Sequence, residues 1–579
     1  MFVRFGRWCR WEGRLSEDSS ACRMERDLVI ATIPGVQRFV AESRRTADLF
    51  VSSDIISELA GAMVGAVTEP AELVLPGTPD MVTGIPNRVV ALAGRNQGRA
   101  LAQAMADAVQ DRWARIRARS KVEEETPGFP AVQWVVVPPS EGGYEAQWER
   151  AQRLLLERKR VRDFVFPPAV QERVCTLTGR WSAPRDKQEE GVVRRGEHLS
   201  AVGRIKRGVR SGFPSTWSIA LAPYRADVVE LADTDQAVRS ALDNIRESIS
   251  RLADDALPRL RKGLKSDLAT WFRGLEGSWC VPETWDPRVI RREHDLRQQP
   301  DRDVCESGRQ SAHDLKVAAR AAGARQFTPY LAVLAQDADR LGESLSDGTR
   351  ANGPMREWHG RISAALGRVG PLQRKAIESA QGLGRVVYSG GDDLLALVPA
   401  ATATTIARQS YDAFRQEMAE ELPRATISTA LVFFHASWPL QSAVAAAQEL
   451  LEQAKNRSRP GLAIAVQHRG GERARWVTPW LAADSGQILD HLEHLVQAMT
   501  AAQGLSKRLA ISLEADADEL ATLTPAWLHM ELRRRAVRHG MPETVGTALR
   551  GLCAPDGDRV AVPVDALLVA RFLATGDLP

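Results

Sequence analysis

Arg385-Val-Val-Tyr-Ser-Gly-Gly-Asp-Asp-Leu-Leu-Ala-Leu-Val398 is the stretch that decides how this chain is read. An apolar run enters Gly390-Gly391-Asp392-Asp393 and another leaves, with a glycine pair at the bend, so the stretch predicts a β-hairpin whose tip carries two carboxylates. Paired carboxylates bind a hard divalent cation through oxygen. A tip without side chains at Gly390 and Gly391, next to Ser389, would let a nucleotide approach the backbone closely. Taken alone, the string also fits an ordinary hairpin with a solvated acidic turn.

A second acidic element lies upstream. Pro329-Tyr-Leu-Ala-Val-Leu-Ala335 reads as a buried strand running into Gln336-Asp337-Ala338-Asp339-Arg340-Leu341-Gly342 and then a helical pattern. A carboxylate at the end of a core strand, beside a turn that opens a helix, is a place where metal and phosphate can be held together. Two adjacent strands would bring Asp337 near Asp392. Downstream come a helix (about 402–420), a strand (425–434), a helix (about 440–456) and a strand (462–466). The order β, α, hairpin, α, β, α, β is that of a palm-type polymerase or cyclase domain.

With these residues in view, the chain resembles the large polymerase/cyclase subunit of type III CRISPR effector complexes, on the III-B (Cmr) branch. Ile33-Pro-Gly-Val-Gln-Arg-Phe-Val-Ala-Glu-Ser-Arg-Arg-Thr-Ala-Asp-Leu-Phe50 is similar to that family's first palm domain. Gly84-Ile-Pro-Asn-Arg-Val-Val-Ala91, Phe213-Pro-Ser-Thr-Trp-Ser-Ile-Ala220, the Asp337 strand, the hairpin, and Ile427 to His435 followed by Trp438-Pro-Leu440 occur in the family's order. The resemblance covers nearly the whole chain.

The 579 residues exceed a single core and suggest about three to five domains. Charged residues at 26% and hydrophobic ones at 44% suit a globular protein, and no apolar run approaches the ~18 residues of a membrane span. Residues 1–27 lack a secretory apolar core, and six cysteines form no disulfide framework, so a cytoplasmic location without membrane contact is expected. A net charge of +4 does not by itself argue nucleic-acid binding. The local clusters Arg204 to Arg207, Arg259 to Lys262 and Arg533 to Arg535 read either as RNA-backbone contacts or as solvated helix faces.

The expected fold is an α+β multidomain protein: two palm domains, ferredoxin-like and of nucleotidyl cyclase type, with helical inserts and a C-terminal helical bundle. The boundaries are a tail (1–27), a non-catalytic first palm (28–165) and a degenerate zinc-finger and helical domain (166–325). A second palm with the hairpin (326–470) and a helical C-terminal domain (471–579) complete the chain. The first palm shows no acidic pair at its strand ends.

Two properties that the resemblance implies are not expected here. The N-terminal His-Asp nuclease has no imidazole to draw on, because the first histidine is His198. His294-Asp295 and His313-Asp314 fall in a charged stretch that reads as a solvated linker. The family's zinc site would need two Cys-x-x-Cys pairs, but the corresponding positions read Cys175-Thr-Leu-Thr178 and Ser200-Ala-Val-Gly203, so zinc is not expected. Rebuilding it from Cys175 with His198, Cys280 and Cys305 follows no zinc spacing.

The expected chemistry is ATP-dependent nucleotidyl transfer, in which a ribose 3′-hydroxyl attacks the α-phosphate of a second ATP and expels pyrophosphate. Asp392 and Asp393 would be catalytic. Together with Asp337 they would ligate Mg²⁺ or Mn²⁺, two per site. Ser389, Gly390, Gly391 and the backbone from Ala338 through Asp339 to Gly342 would border the nucleotide. Asp339 reads as a ligand or as a helix cap, and Lys455 as a phosphate contact or a solvated lysine. By resemblance, the product is cyclic oligoadenylate, and the partners are other subunits of the complex, guide crRNA and target RNA. The rivals are a catalytically inactive scaffold subunit and a diguanylate cyclase or free-standing polymerase; the latter is disfavoured by the apolar run after Asp393.

Overall fold

The computed structural model describes residues 26–77, 86–126, 128–161, 173–179, 181–184, 192–209, 212–468, 470–482, 486–501, 507–556 and 559–575. Nearly all of the N-terminal tail, and Gly84 and Ile85 of the second family-like stretch, lie outside these residues.

Strands β1 (Arg26–Thr32), β2 (Glu72–Leu75), β3 (Arg88–Gly94) and β4 (Gln133–Val137) form an antiparallel sheet in the order β2-β3-β1-β4. Alternate residues face opposite ways. Val29, Ala31 and Val89 meet the helices Thr46–Gly65 and Gly98–Arg119, whereas Leu28, Ile30 and Val90 meet Trp148 and Leu155 of helix Gly143–Arg160. The Thr46–Gly65 helix is buried on most of its circumference because Leu49 and Phe50 also pack under the larger sheet described below.

A short hairpin, β5 (Arg173–Val174) and β6 (Ser182–Ala183), precedes helix Ala201–Gly208. This helix overturns the surface reading of Arg204 to Arg207. Arg204 is buried against Glu124 at 2.6 Å, and Lys206 donates to the carbonyls of Phe39 (2.5 Å) and Glu42 (3.0 Å) beneath the Phe39 ring. Arg207 bonds Asp48 at 3.0 Å and both oxygens of Glu197, and Arg45 adds a contact to Glu197 at 3.5 Å. The cluster therefore clasps the N-terminal sheet unit from inside.

Residues 216–324 are helical around their own core of Leu242, Ile245, Ile249, Phe272, Trp279 and Trp285. The linker expected around the two His-Asp dipeptides is thus an ordered unit. His313 sits in helix Arg302–Ala321, and His294 stacks on Trp279 with ring centroids 5.4 Å apart.

The larger sheet contains β7 (Tyr330–Ala338), β8 (Arg385–Ser389), β9 (Asp393–Pro399), β10 (Ile427–His435), β11 (Gly461–His468) and β12 (Gly471–Pro479). Their order is β12-β11-β10-β7-β9-β8, with only β10 and β11 parallel among these pairs. Helices Met355–Glu378 and Ala403–Met418 cover one face and helix Leu440–Arg457 the other. Two boundaries differ from expectation. β7 continues through Asp337, so this carboxylate stands in a strand. The sheet also continues past residue 470 into β12, which is exposed at its start and buried only at alternate positions thereafter. Helices Ile488–Ala501, Lys507–Ala515, Pro525–Arg538, Glu543–Gly551 and Val564–Thr575 follow, and Phe572 packs on Tyr330 and Phe433. This C-terminal region therefore shares the core of the larger sheet.

Removing the Arg207 guanidinium leaves Asp48 buried beside carboxylate Glu197. Arg207→Ala is expected to cost about 3–5 kcal/mol, read as a clear drop in melting temperature of the unit that contains β1–β4. An unchanged melting profile would show that the clasp does not hold the unit together.

Candidate functional site

The pairing of β7 with β9 sets Asp337 directly opposite Asp393. Just beyond it, the Ala338 amide donates to the Asp392 carbonyl at 2.7 Å, and the Gly390 amide donates to the Asp393 carbonyl at 2.9 Å, closing the tip. Directly opposed residues in an antiparallel pair have Cα atoms about 4.5–5.5 Å apart, so the backbone itself forces the acidic residues together. The Asp392 and Asp393 Oδ1 atoms lie 3.0 and 2.7 Å from where a Gly390 Cβ would stand. Gly390 is therefore required beside the carboxylates.

Gly391 has a different role from the one expected. Its φ is +89°, and an added Cβ would run into the backbone carbonyl of Leu366. The missing side chain admits helix Met355–Glu378, not a nucleotide. Ser389 is also turned inward: its hydroxyl donates to Gln373 at 2.7 Å, and Gln373 donates to Gln336 at 3.3 Å. Gln336 in turn donates to Thr429 at 2.9 Å. This chain ties the hairpin to its neighbours and takes Ser389 out of ligand contact.

Asp339 is not the cap of the following helix, and its carboxylate is engaged within the sheet. Its carboxylate accepts from Thr426 and Ser428, both at 2.7 Å, and its amide donates to the Thr426 carbonyl, which pins the end of β7 to β10. The N-cap of the following helix is Arg340 in left-handed conformation, without a side-chain cap bond. The phosphate cradle expected from Ala338 to Gly342 is reduced as well. The amides of Ala338 and Asp339 are spent on Asp392 and Thr426, while Ala338, Arg340, Leu341 and Gly342 border the cavity.

That cavity, of about 430 Å³, opens where the two sheet units meet. Asp337, Asp392 and Gly390 border one side, and Ser363 and Gly367 of helix Met355–Glu378 another. Arg88 and Trp148 close it from the N-terminal unit. Arg88 falls within the family-like stretch Gly84 to Ala91, but its place on a cavity wall, like that of Trp148, has no diagnostic spacing in the sequence.

The electrostatics of the tip are those of crowded anions. Burial raises Asp392 to about 6, with Asp337 adding to the shift, and burial followed by Asp392 and Asp337 raises Asp393 well above the usual carboxylate range. Asp337 is raised mainly by burial, opposed by Lys455. The buried Tyr388 phenol is pushed up by burial and then by all three carboxylates, Asp393 foremost. Lys455 reaches Asp337 Oδ2 at 2.9 Å and is mostly buried, so it is a counter-ion rather than a solvated lysine. Among the described residues no three His, Cys, Asp or Glu side chains are already gathered as a metal cluster. The oxygen donor set nonetheless fits Mg²⁺ or Mn²⁺, because a hard cation relieves the mutual repulsion that raises these carboxyls.

The residues in place of the zinc ligands do not fit that metal. The Cys175 thiol is within hydrogen-bonding reach of Ser200 and Thr178, the Ser200 hydroxyl accepts from the Gly203 amide at 3.3 Å, and a small apolar core with Leu177, Ala183 and Leu199 surrounds them. Hydroxyls and a glycine supply no soft ligands. Cys280 and Cys305 belong to the helical core, and His198 faces Arg173 at 2.7 Å. His294 is lowered to about 4 by burial and then by Arg259 and Arg194. In the remaining basic clusters Arg261 pairs with Asp254, Arg533 with Glu543 and Arg534 with Glu531 on the exposed surface, while Arg535 is mostly buried against Asp516 and Glu531.

The family described as Cas10/Cmr2, second palm domain, matches residues 330–463, and that described as CRISPR-associated protein Cmr2, N-terminal, matches residues 28–81. A stretch of 167 residues is 28% identical to the CRISPR system Cmr subunit Cmr2 of Pyrococcus furiosus, covering 24% of this chain and 19% of that protein. The fold is similar to a chain of type III-B Cmr-beta in the apo state, with TM-score 0.65 and 13% identity, over 96% of this chain and 82% of that one. For Cmr-beta bound to cognate target RNA the values are 0.66 and 14%, over 95% and 83%. No described helix is long and apolar enough to cross a membrane. A Cmr2-like N-terminal segment and a Cas10/Cmr2-like second palm domain thus stand in that order on one α+β chain, which is similar to Cmr2 of the Cmr (III-B) systems.

Proposed function

We propose that this chain is the polymerase/cyclase subunit of a type III CRISPR effector complex, converting ATP to cyclic oligoadenylate in its second palm when target RNA is engaged. The observation that carries the reading is the set of three carboxylates, Asp337, Asp392 and Asp393, crowded at one strand edge beside a cavity of about 430 Å³. That volume lies within the range of small-ligand pockets, about 300–1,000 Å³.

Two divalent ions, when bound, would neutralise the entering and leaving oxygens of an in-line displacement and lower the pKa of the attacking 3′-hydroxyl. Asp337, Asp392 and Asp393 are the residues that would hold them. Gly390 keeps the space beside the carboxylates clear, while Gly391 and the Ser389–Gln373–Gln336 chain fix the hairpin. Lys455, which pairs with Asp337, would be released toward phosphate once a cation takes its place. Similarity to the Cmr-beta structures, one of them bound to cognate target RNA, supports target RNA, with the guide crRNA and other subunits of such a complex, as partners.

An inactive scaffold is the second reading. It is favoured by the Lys455 ammonium, which already neutralises Asp337 at 2.9 Å.

Two measurements separate the readings. In a thermal-shift titration of the purified chain, Mn²⁺ is expected to raise the melting temperature of wild type but not of a variant with Asp392→Asn and Asp393→Asn. Equal shifts would remove the metal assignment. In the assembled complex with target RNA, ATP and Mg²⁺ or Mn²⁺, Asp392→Ala with Asp393→Ala is expected to lower product formation at least about a hundredfold. Turnover that survives the double change contradicts the site, and wild type that turns over no nucleotide supports the scaffold.

A further inference from the structure

Arg88 carries two guanidinium nitrogens without an acceptor among the described residues, in a place built to hold it. Its Nε and Nη2 atoms are buried and have no partner among the described residues. Its position is nevertheless fixed. Arg88 pairs with Thr32 across the sheet, and the preceding Asn87 is locked to Ile33 by its carbonyl (2.9 Å) and by its side-chain amide (3.0 Å). The guanidinium lies over the Trp148 ring, 5.6 Å from its centroid. Trp148 is itself held by the His359 ring at 4.2 Å and by Ser346 at 3.3 Å.

Leaving a guanidinium donor buried without an acceptor is costly, and such a group calls for an explanation. Structural pairing does not supply one, since no described carboxylate hydrogen-bonds Arg88. Its field is felt across the cavity. Asp392 is lowered in part by Arg88, although burial and Asp337 dominate, and Lys159 and His359 are both lowered in part by it. Arg88 also lines the same cavity as Asp337 and Asp392, from the opposite unit.

We propose that Arg88 binds the polyphosphate of the nucleotide in this cavity, donating its vacant Nε and Nη2 hydrogens to phosphate oxygens. The inference rests on the nucleotide reading given above. A planar guanidinium presents paired donors that match phosphate oxygens. It also answers an electrostatic requirement of the site. A cavity bordered by crowded carboxylates repels an anionic nucleotide, and Arg88 is a fixed positive charge on the opposite wall. The N-terminal sheet unit, which has no acidic pair of its own, would thereby contribute directly to substrate binding.

The test is equilibrium binding to the full chain of a non-hydrolysable ATP analogue and of adenosine, for wild type, Arg88→Met and Arg88→Lys. Arg88→Met is expected to weaken the triphosphate by about tenfold to a hundredfold and to leave adenosine and the Mn²⁺-induced melting shift unchanged. Arg88→Lys, which keeps the charge but not the fork, should fall between. Equal affinity of wild type and Arg88→Met for the triphosphate overturns the proposal. A parallel loss for adenosine, with a lowered melting temperature in both variants, would mark Arg88 as structural and also overturn it. A wild type that binds Mn²⁺ but neither nucleotide ligand would instead remove the nucleotide reading on which the proposal stands.

Discussion

The antiparallel ladder between β7 and β9 is the constraint on which the rest depends, because it sets Asp337 across from Asp393 with Asp392 one residue away. Side chains alone would not choose this arrangement. Three carboxylates in a half-buried corner repel one another, and their raised pKa values express that repulsion. The ladder hydrogen bonds, the contact of Gly391 with Leu366 and the Thr426 and Ser428 bonds to Asp339 hold the corner in place. Lys455 supplies partial compensation. A divalent cation would supply the remainder.

The N-terminal unit is joined to this corner by two kinds of contact. One is apolar: Leu28, Ile30 and Trp148 continue into the core formed by β7, β9 and helix Met355–Glu378, while Leu49 and Phe50 reach the opposite face of the larger sheet. The other is polar: Tyr144 donates to His359 Nδ1 at 3.0 Å, and His359 Nε2 donates to the Leu345 carbonyl at 2.8 Å, which fixes the imidazole tautomer. The cavity lies at this junction. Its shape therefore depends on both units, even though its acidic wall comes from one.

The hairpin, β7, β10 and helix Leu440–Arg457 were legible in the sequence because each is a continuous apolar or regularly periodic run bounded by turn residues. β12 was not, since its first residues are exposed and charged and only alternate later positions are buried. The Arg204 to Arg207 cluster looked like surface because its partners, Asp48 and Glu124, lie far back in the chain. Position in the motif alone places Gly391 and Ser389 beside a ligand and leaves Asp339 as ligand or cap. Their partners Leu366, Gln373 and Ser428 come from elements that local patterning cannot bring together. Arg88 and Trp148 reach the cavity from the N-terminal unit, and no local pattern shows that this unit comes to lie beside the hairpin.

The most direct test of the account is the position of Mn²⁺ in the protein, located by its anomalous scattering in crystals grown with the ion and a non-hydrolysable ATP analogue. The account predicts manganese bound to oxygens of Asp337, Asp392 and Asp393, with Lys455 withdrawn from Asp337. Manganese absent from this corner, with the Lys455–Asp337 pair intact and the nucleotide elsewhere, would contradict it.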